Sequence, residues 1–213
     1  MKQLLATTFA LCLSVGAASA DTIILDFEGI GNLGSVGDFY NGGGGTDYNI
    51  EFSDTSLAII DSDAGGSGNF GNEPSPDTVL FFQSGGAATM NVLDGFSTGF
   101  SFFYSSVNFG GFVNVWSGLN STGDLLATLT LDALGFGPGD PSGSFSNWES
   151  IGVLFTGTAY SVDFGGSADQ IAFDNVTLGS NTPGVPPVPV PASLPLLLAG
   201  LGGLGLLARR KRR

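Results

Sequence analysis

Between about residue 21 and residue 180 the apolar positions come in short runs of four to eight, set apart by clusters of Gly, Asn, Asp, Ser and Pro. No stretch keeps the i, i+3, i+4 spacing that would lay one apolar face along a helix. The runs instead predict strands at 22–27, 48–52, 57–60, 78–83, 88–93, 99–104, 112–116, 125–131, 148–155, 159–164 and 170–178. Short strands without a helix predict an all-β fold, an antiparallel β-sandwich or jelly roll. About 160 residues suit one domain with one core. The Gly run at 42–45 and the stretch 61–76 are its longest loops.

Both ends break this pattern. Residues 1–20 begin with Lys2, run apolar from Leu4 to Val15 and finish on Ala18-Ser19-Ala20. That order predicts a signal peptide for the Sec export machinery, cut between Ala20 and Asp21. At the other end 181–191 is Pro-rich and predicts a semi-rigid spacer. Residues 192–208 carry no charge and would make a helix of roughly 25 Å at ~1.5 Å per residue. A bilayer core is about 30 Å, so this predicts a short transmembrane helix that thins the membrane locally. The basic tail 209–213 stays cytoplasmic by the positive-inside rule, which leaves residues 21–180 facing outward.

Charge sharpens the picture. The Lys and Arg residues are Lys2, Arg209, Arg210, Lys211, Arg212 and Arg213, while all nineteen acidic residues lie between Asp21 and Asp174. A body without cations cannot release counterions from nucleic acid and is repelled by anionic lipid. There is no His, and Cys12 is the only cysteine. Ser-His-Asp and Cys-His catalysis, Lys Schiff bases, thiolate redox and ordinary zinc sites are therefore excluded from the body. Carboxylates, hydroxyls, amides and aromatics remain. They suit Ca²⁺, sugar binding or a two-carboxylate glycosidase.

The tail carries a resemblance. Val188-Pro189-Val190-Pro191-Ala192, the Leu- and Gly-rich run from Leu194 to Gly205, and Arg209-Arg210 together resemble the PEP-CTERM class of sorting signals in its VPLPA variant. Val190 stands where that variant usually has Leu. The resemblance implies recognition by an exosortase-type membrane protease and cleavage near the Pro motif. It also implies sorting to the surface of a Gram-negative bacterium that makes exopolysaccharide. The expected organisation is a signal peptide at 1–20, a β-sandwich at 21–180, a linker at 181–191 and a sorting signal at 192–213. In the body, Leu25-Asp26-Phe27-Glu28-Gly29, the phrase from Asp47 to Ser53 and the closing Ile171-Ala172-Phe173-Asp174-Asn175-Val176 are similar to domains that such signals carry. Those domains resemble carbohydrate-binding jelly rolls. The resemblance implies adjacent first and last strands, often with a structural Ca²⁺ between them.

Several local motifs carry candidate chemistry. Gly29-x-Gly31-x-x-Gly34 matches a dinucleotide fingerprint, but Ser35 to Gly42 cannot supply the helix that a pyrophosphate needs. Gly200-x-Gly202-x-x-Gly205 lies in the apolar tail, where small residues such as Ala199 and Gly203 suit close helix approach. Asp61-x-Asp63 lacks the spacing of a Ca²⁺ loop. Asp26 and Glu28, two apart on an expected strand, share one face, with Ile23, Leu25 and Phe27 on the other. The alternation slips at Asp174-Asn175 and predicts a bulge that turns Asp174 outward near the first strand. Asp26, Glu28 and Asp174 are thus candidate Ca²⁺ ligands, with a plain solvated face as the alternative. Trp116, Trp148, Tyr40, Tyr104 and Tyr160 could stack on sugars if exposed, core packing being the commoner fate of such rings.

The leading expectation is an exported, non-catalytic surface or matrix protein that binds Ca²⁺ and polysaccharide. The alternatives are a glycoside hydrolase using only carboxylates, for which the E-x-D-x-x-E run of jelly-roll glucanases is missing, and a self-assembling structural protein.

Overall fold

The computed structural model describes residues 22–137 and 144–184. The expected signal peptide with its Ala20–Asp21 cut, the motif at 188–192 and the helix at 192–208 lie outside the described residues.

Twelve strands follow in order: β1 (Ile23–Leu25), β2 (Gly34–Ser35), β3 (Ile50–Phe52), β4 (Ser56–Ile60), β5 (Thr78–Phe82), β6 (Ala87–Phe96), β7 (Gly99–Ser106), β8 (Gly111–Trp116), β9 (Leu125–Leu131), β10 (Glu149–Leu154), β11 (Ala159–Gly165) and β12 (Ile171–Leu178). All eleven predicted strands form. The addition is β2, two residues that pair with β4. One π-helical turn, Phe39–Gly43, leaves helical angles at Tyr40, Asn41 and Gly42.

The strands build an antiparallel β-sandwich, as the pattern predicted. One sheet runs β10-β7-β12-β5-β4-β2 with β1 also on β12, and the other runs β3-β6-β11-β8-β9. Their inner faces supply the core, in which Phe100, Phe102, Phe164 and Phe173 are buried with Met90, Val113, Val162 and Leu131. The rings meet edge to face, Phe164 and Phe173 with centroids 5.0 Å apart at 66°. Such tilted contacts add about 0.5–1.5 kcal/mol each beyond area burial.

The first strand is shorter than predicted. It stops at Leu25 because Phe27 takes φ = 62°, a conformation that bulky L-residues rarely adopt. Full burial of Phe27 and donation of its N–H to the Tyr40 hydroxyl at 2.8 Å hold it there. Asp26 and Glu28 therefore do not share one face of a strand.

Candidate functional site

Along one side of β12, two strands occupy the place of one. β1 pairs with its second half, Leu25 opposite Val176, and β5 reaches its first half, Leu80 opposite Phe173. The predicted adjacency of first and last strands is present. Between the two partners lies the predicted bulge: pairing with β7 shifts between Asp174 and Thr177, and Asn175 has φ = 47°.

Asp174 alternates away from Phe173 and the core, but it does not reach solvent. It is fully buried. The Ser75 N–H donates to its Oδ2 at 2.7 Å, the Ser75 hydroxyl to its Oδ1 at 2.7 Å, and the Asn175 N–H to Oδ1 at 2.6 Å. Burial pushes the Asp174 carboxyl up to about 6, the bonds from Ser75 and Asn175 opposing the rise and the Glu28 charge adding to it. Glu28, just past β1, accepts the N–H groups of Asp77 and Thr78 on Oε1, at 2.9 and 2.8 Å, and the Thr78 hydroxyl on Oε2 at 2.8 Å. Ser75 Oγ also lies 3.3 Å from the Asp26 carbonyl oxygen. These contacts form a polar splice that closes the gap between β1 and β5. The exposed Asp26 carboxylate accepts only the Glu28 N–H, at 3.2 Å.

The structure thus brings Asp26, Glu28 and Asp174 to one junction. Both oxygens of Asp174 and both of Glu28 already accept protein hydrogens, whereas Ca²⁺ takes six to eight oxygen ligands. Among the described residues no group of three or more His, Cys, Asp or Glu is placed to hold a metal.

Beside the splice opens a cleft of about 510 Å³ lined by Asp26, Glu28, Phe39, Tyr40, Tyr48 and the Gly44–Gly45 rim. Tyr40 is buried and anchors it, with its ring 5.0 Å from Phe39 at 89° and 6.3 Å from Tyr48 at 27°. Phe39 and Tyr48 are half-buried. A side chain at Gly45 would run into the Phe39 ring, so the glycine lets the rim close on the aromatic. Burial raises the Tyr40 phenol well above its usual range, so it stays protonated; the Phe27 N–H opposes this and the Asp26 and Asp174 charges reinforce it. The cleft thus sets half-buried aromatic rings beside the exposed Asp26 carboxylate. A second cavity of about 250 Å³ is lined by Ile59, Phe70, Phe81 and Phe145. It continues the small apolar core beneath the long loop.

Other aromatic candidates lie away from this cleft. Tyr104 is buried, with its hydroxyl donating to Glu149 Oε2 at 3.2 Å, and Trp148 donates Nε1–H to the Gly71 carbonyl at 3.1 Å. Trp116 and Tyr160 are half-buried. Asp61 is buried and accepts the Phe70 N–H at 3.2 Å, so it ties the loop together. Sequence reasoning missed Phe39, Tyr48 and Ser75. The available signal for the first two was a pair of aromatic positions flanking the Gly run at 42–45.

Fold and cleft define an acidic antiparallel β-sandwich with an aromatic, carboxylate-lined surface site. Residues 187–213 match the PEP-CTERM protein-sorting motif, which bears out the resemblance of the tail at the level of the class. No curated protein matches the chain. Among solved structures the chain is similar to a family 6 carbohydrate-binding module, at 18% identity and TM-score 0.38 over 62% of this chain and 87% of that one. It is also similar to the K3 cleaved adhesin domain of Lys-gingipain from Porphyromonas gingivalis, at 15% identity and TM-score 0.38 over 76% and 100%. A third similar structure is the family 11 carbohydrate-binding module of a Clostridium thermocellum cellulase, at 15% identity and TM-score 0.37 over 76% and 95%.

Proposed function

We propose that this chain is an exported, non-catalytic surface or matrix protein whose β-sandwich binds polysaccharide in the Asp26–Tyr48 cleft. The observation that carries the reading is the sorting motif at 187–213, which implies export, surface sorting and processing by an exosortase. The finer steps are a VPLPA-type signal, Sec export with cleavage after Ala20, and transient anchoring through 192–208 before cleavage near Pro191. The cleft supports sugar as the ligand because it joins aromatic rings to an exposed carboxylate on a body without cations. A glycosidase would need two carboxyl groups free for acid and base work. In this cleft Glu28 is held by three donors from the start of β5.

Intact mass of the protein recovered from the cell surface tests the sorting half. The expected species begins at Asp21 and lacks the basic tail. It also resists trypsin even when denatured, having no Lys or Arg. Surface material still ending at Arg213 would sink this half. For the body, retardation of the chain in native gels containing a neutral polysaccharide should be lost in Tyr48→Ala.

A further inference from the structure

The outer face of the five-stranded sheet carries a second constellation, on the far side of the sandwich core from the polar splice. Its middle rank runs Thr89, Asp163, Asn114, Thr128 across β6, β11, β8 and β9. The Thr128 hydroxyl donates to Asn114 Oδ1 at 2.8 Å. Asp163 is half-buried, and desolvation raises its carboxyl while a bond from the Asn114 side chain opposes the rise. In the next rank Phe112 pairs with Gly165 on β11 and Thr130 on β9. A Cβ on Gly165 would collide with the Phe112 ring. The missing side chain therefore lets that ring lie down on the neighbouring strand, where it is still 38% exposed. Thr128 and Thr130 are exposed beside it.

A ring laid on a sheet, bordered by a carboxylate, an amide and two hydroxyls, matches a pyranose: the aromatic covers the apolar C–H face and the polar groups take the hydroxyls. At one end the loop 117–124 folds onto this face, bonding to Asn91 and Ser161, so the exposed part is the two ranks of Asp163 and Phe112, room for a short stretch of a glycan chain. The body holds no Lys or Arg, so an acidic glycan would meet only repulsion. We propose that this face is a second polysaccharide site, at which a neutral glycan chain stacks on Phe112 and bonds to Asp163, Asn114 and Thr128. The inference rests on the reading of the body as a polysaccharide binder and adds to it a separate location. Two sites on one domain can bridge two chains, a gain of avidity without new contacts.

Titration calorimetry of the full-length chain in mild detergent tests it, with cellohexaose, xylohexaose and mannohexaose as neutral probes and hexagalacturonate as the acidic one. The expected result is two sites per chain for at least one neutral probe and no heat with the acidic one. Phe112→Ala and Asp163→Asn should each weaken one site by about tenfold, the loss of roughly one ring-stacking or charge-assisted contact. Tyr48→Ala should remove the other site. Melting curves that match wild type establish that each variant folds. If Phe112→Ala and Asp163→Asn titrate as wild type while Tyr48→Ala abolishes binding, the second site is overturned and the cleft stands. If no neutral probe binds the wild type, both fall.

Discussion

The two sheets treat their outer faces differently. On the seven-stranded sheet, Val79 and Ala172 are buried under Phe70 from the 61–77 loop, with Ile59, Phe145 and Trp148 packed around them. On the five-stranded sheet the corresponding face shows Asn114, Asp163, Thr128 and Phe112, none of them buried. The difference is written in the strands themselves. β5 reads Thr-Val-Leu-Phe-Phe and every residue is buried, whereas β8 reads Gly-Phe-Val-Asn-Val-Trp and only Val113 and Val115 are. A continuous apolar run marks a strand covered on both faces, and alternation marks one covered on a single face. One sheet thus covers its outer face with the 61–77 loop, and the other leaves the ranks of Asn114 and Phe112 partly exposed.

Large-to-small changes should separate the two faces most. Phe70→Ala empties the centre of the loop core and should cost roughly 3 kcal/mol, about 6–12 °C in Tm for a domain of this size. Phe112→Ala, on the open face, should stay within about 1 kcal/mol. Equal losses in thermal melts would break the comparison. The polar pair comes next. Asp174→Ala leaves the buried Ser75 N–H without its acceptor, and the Ser75 hydroxyl only the longer contacts to the Asp26 and Thr78 carbonyls, and should cost on the order of 3 kcal/mol. Asp163→Ala gives up one partly solvated bond and should cost no more than about 1 kcal/mol.

How much of this was legible follows the same division. Alternation and run length gave the strands, and the phase slip at Asp174-Asn175 gave the bulge, because both are local. The reach of Ser75 to Asp174 was not legible: the two are 99 residues apart, and Ser75 lies in a loop with no periodicity. The end of β1 at Leu25 was hidden for a related reason. Phe27 pays for its positive φ with contacts to Tyr40 and Phe52 that only the folded chain supplies. Alternation puts Phe112 on the face of Asn114, but that its ring lies over Gly165, one strand away, was not legible.

Acidity should act mainly through the covered face. Folding raises the Asp174 pKa to about 6, against about 3.9 in an unfolded chain. The resulting stabilisation is fully present below the unfolded value and is lost as pH rises through 6. Glu73, in the same long loop, is raised to about 7 by burial and by the charges of Asp61, Asp63 and Asp77, although its own backbone N–H opposes the shift. Its contribution has the same sign and is lost through pH 7. Tm should therefore be higher at pH 5 than at pH 8, the Asp174 share being about 1.4 kcal/mol over that interval. Asp174→Asn should flatten the profile, whereas Asp163→Asn should leave most of it. A profile unchanged by Asp174→Asn would assign the pH dependence to Glu73 and general repulsion.

The smallest expected effect is that of calcium, and it bears directly on the splice. Nineteen carboxylates without a single cation in the body repel one another, so any salt should stabilise the fold by screening. A specific ion would add a mass-action term of about 2.7 kcal/mol at a hundredfold excess over its dissociation constant. The splice leaves little room for that term, because the oxygens of Glu28 and Asp174 are taken by the chain entering β5. A bound ion would have to displace those donors and reopen the gap beside β12. Melting curves in CaCl₂ and in NaCl at equal ionic strength should therefore coincide, for wild type and for Asp174→Asn alike. An excess rise with Ca²⁺ in wild type that disappears in the variant would mean that the ion can replace Ser75 as the partner of Asp174. The splice would then be a metal site in its second state, and the covered face would bind a ligand as well.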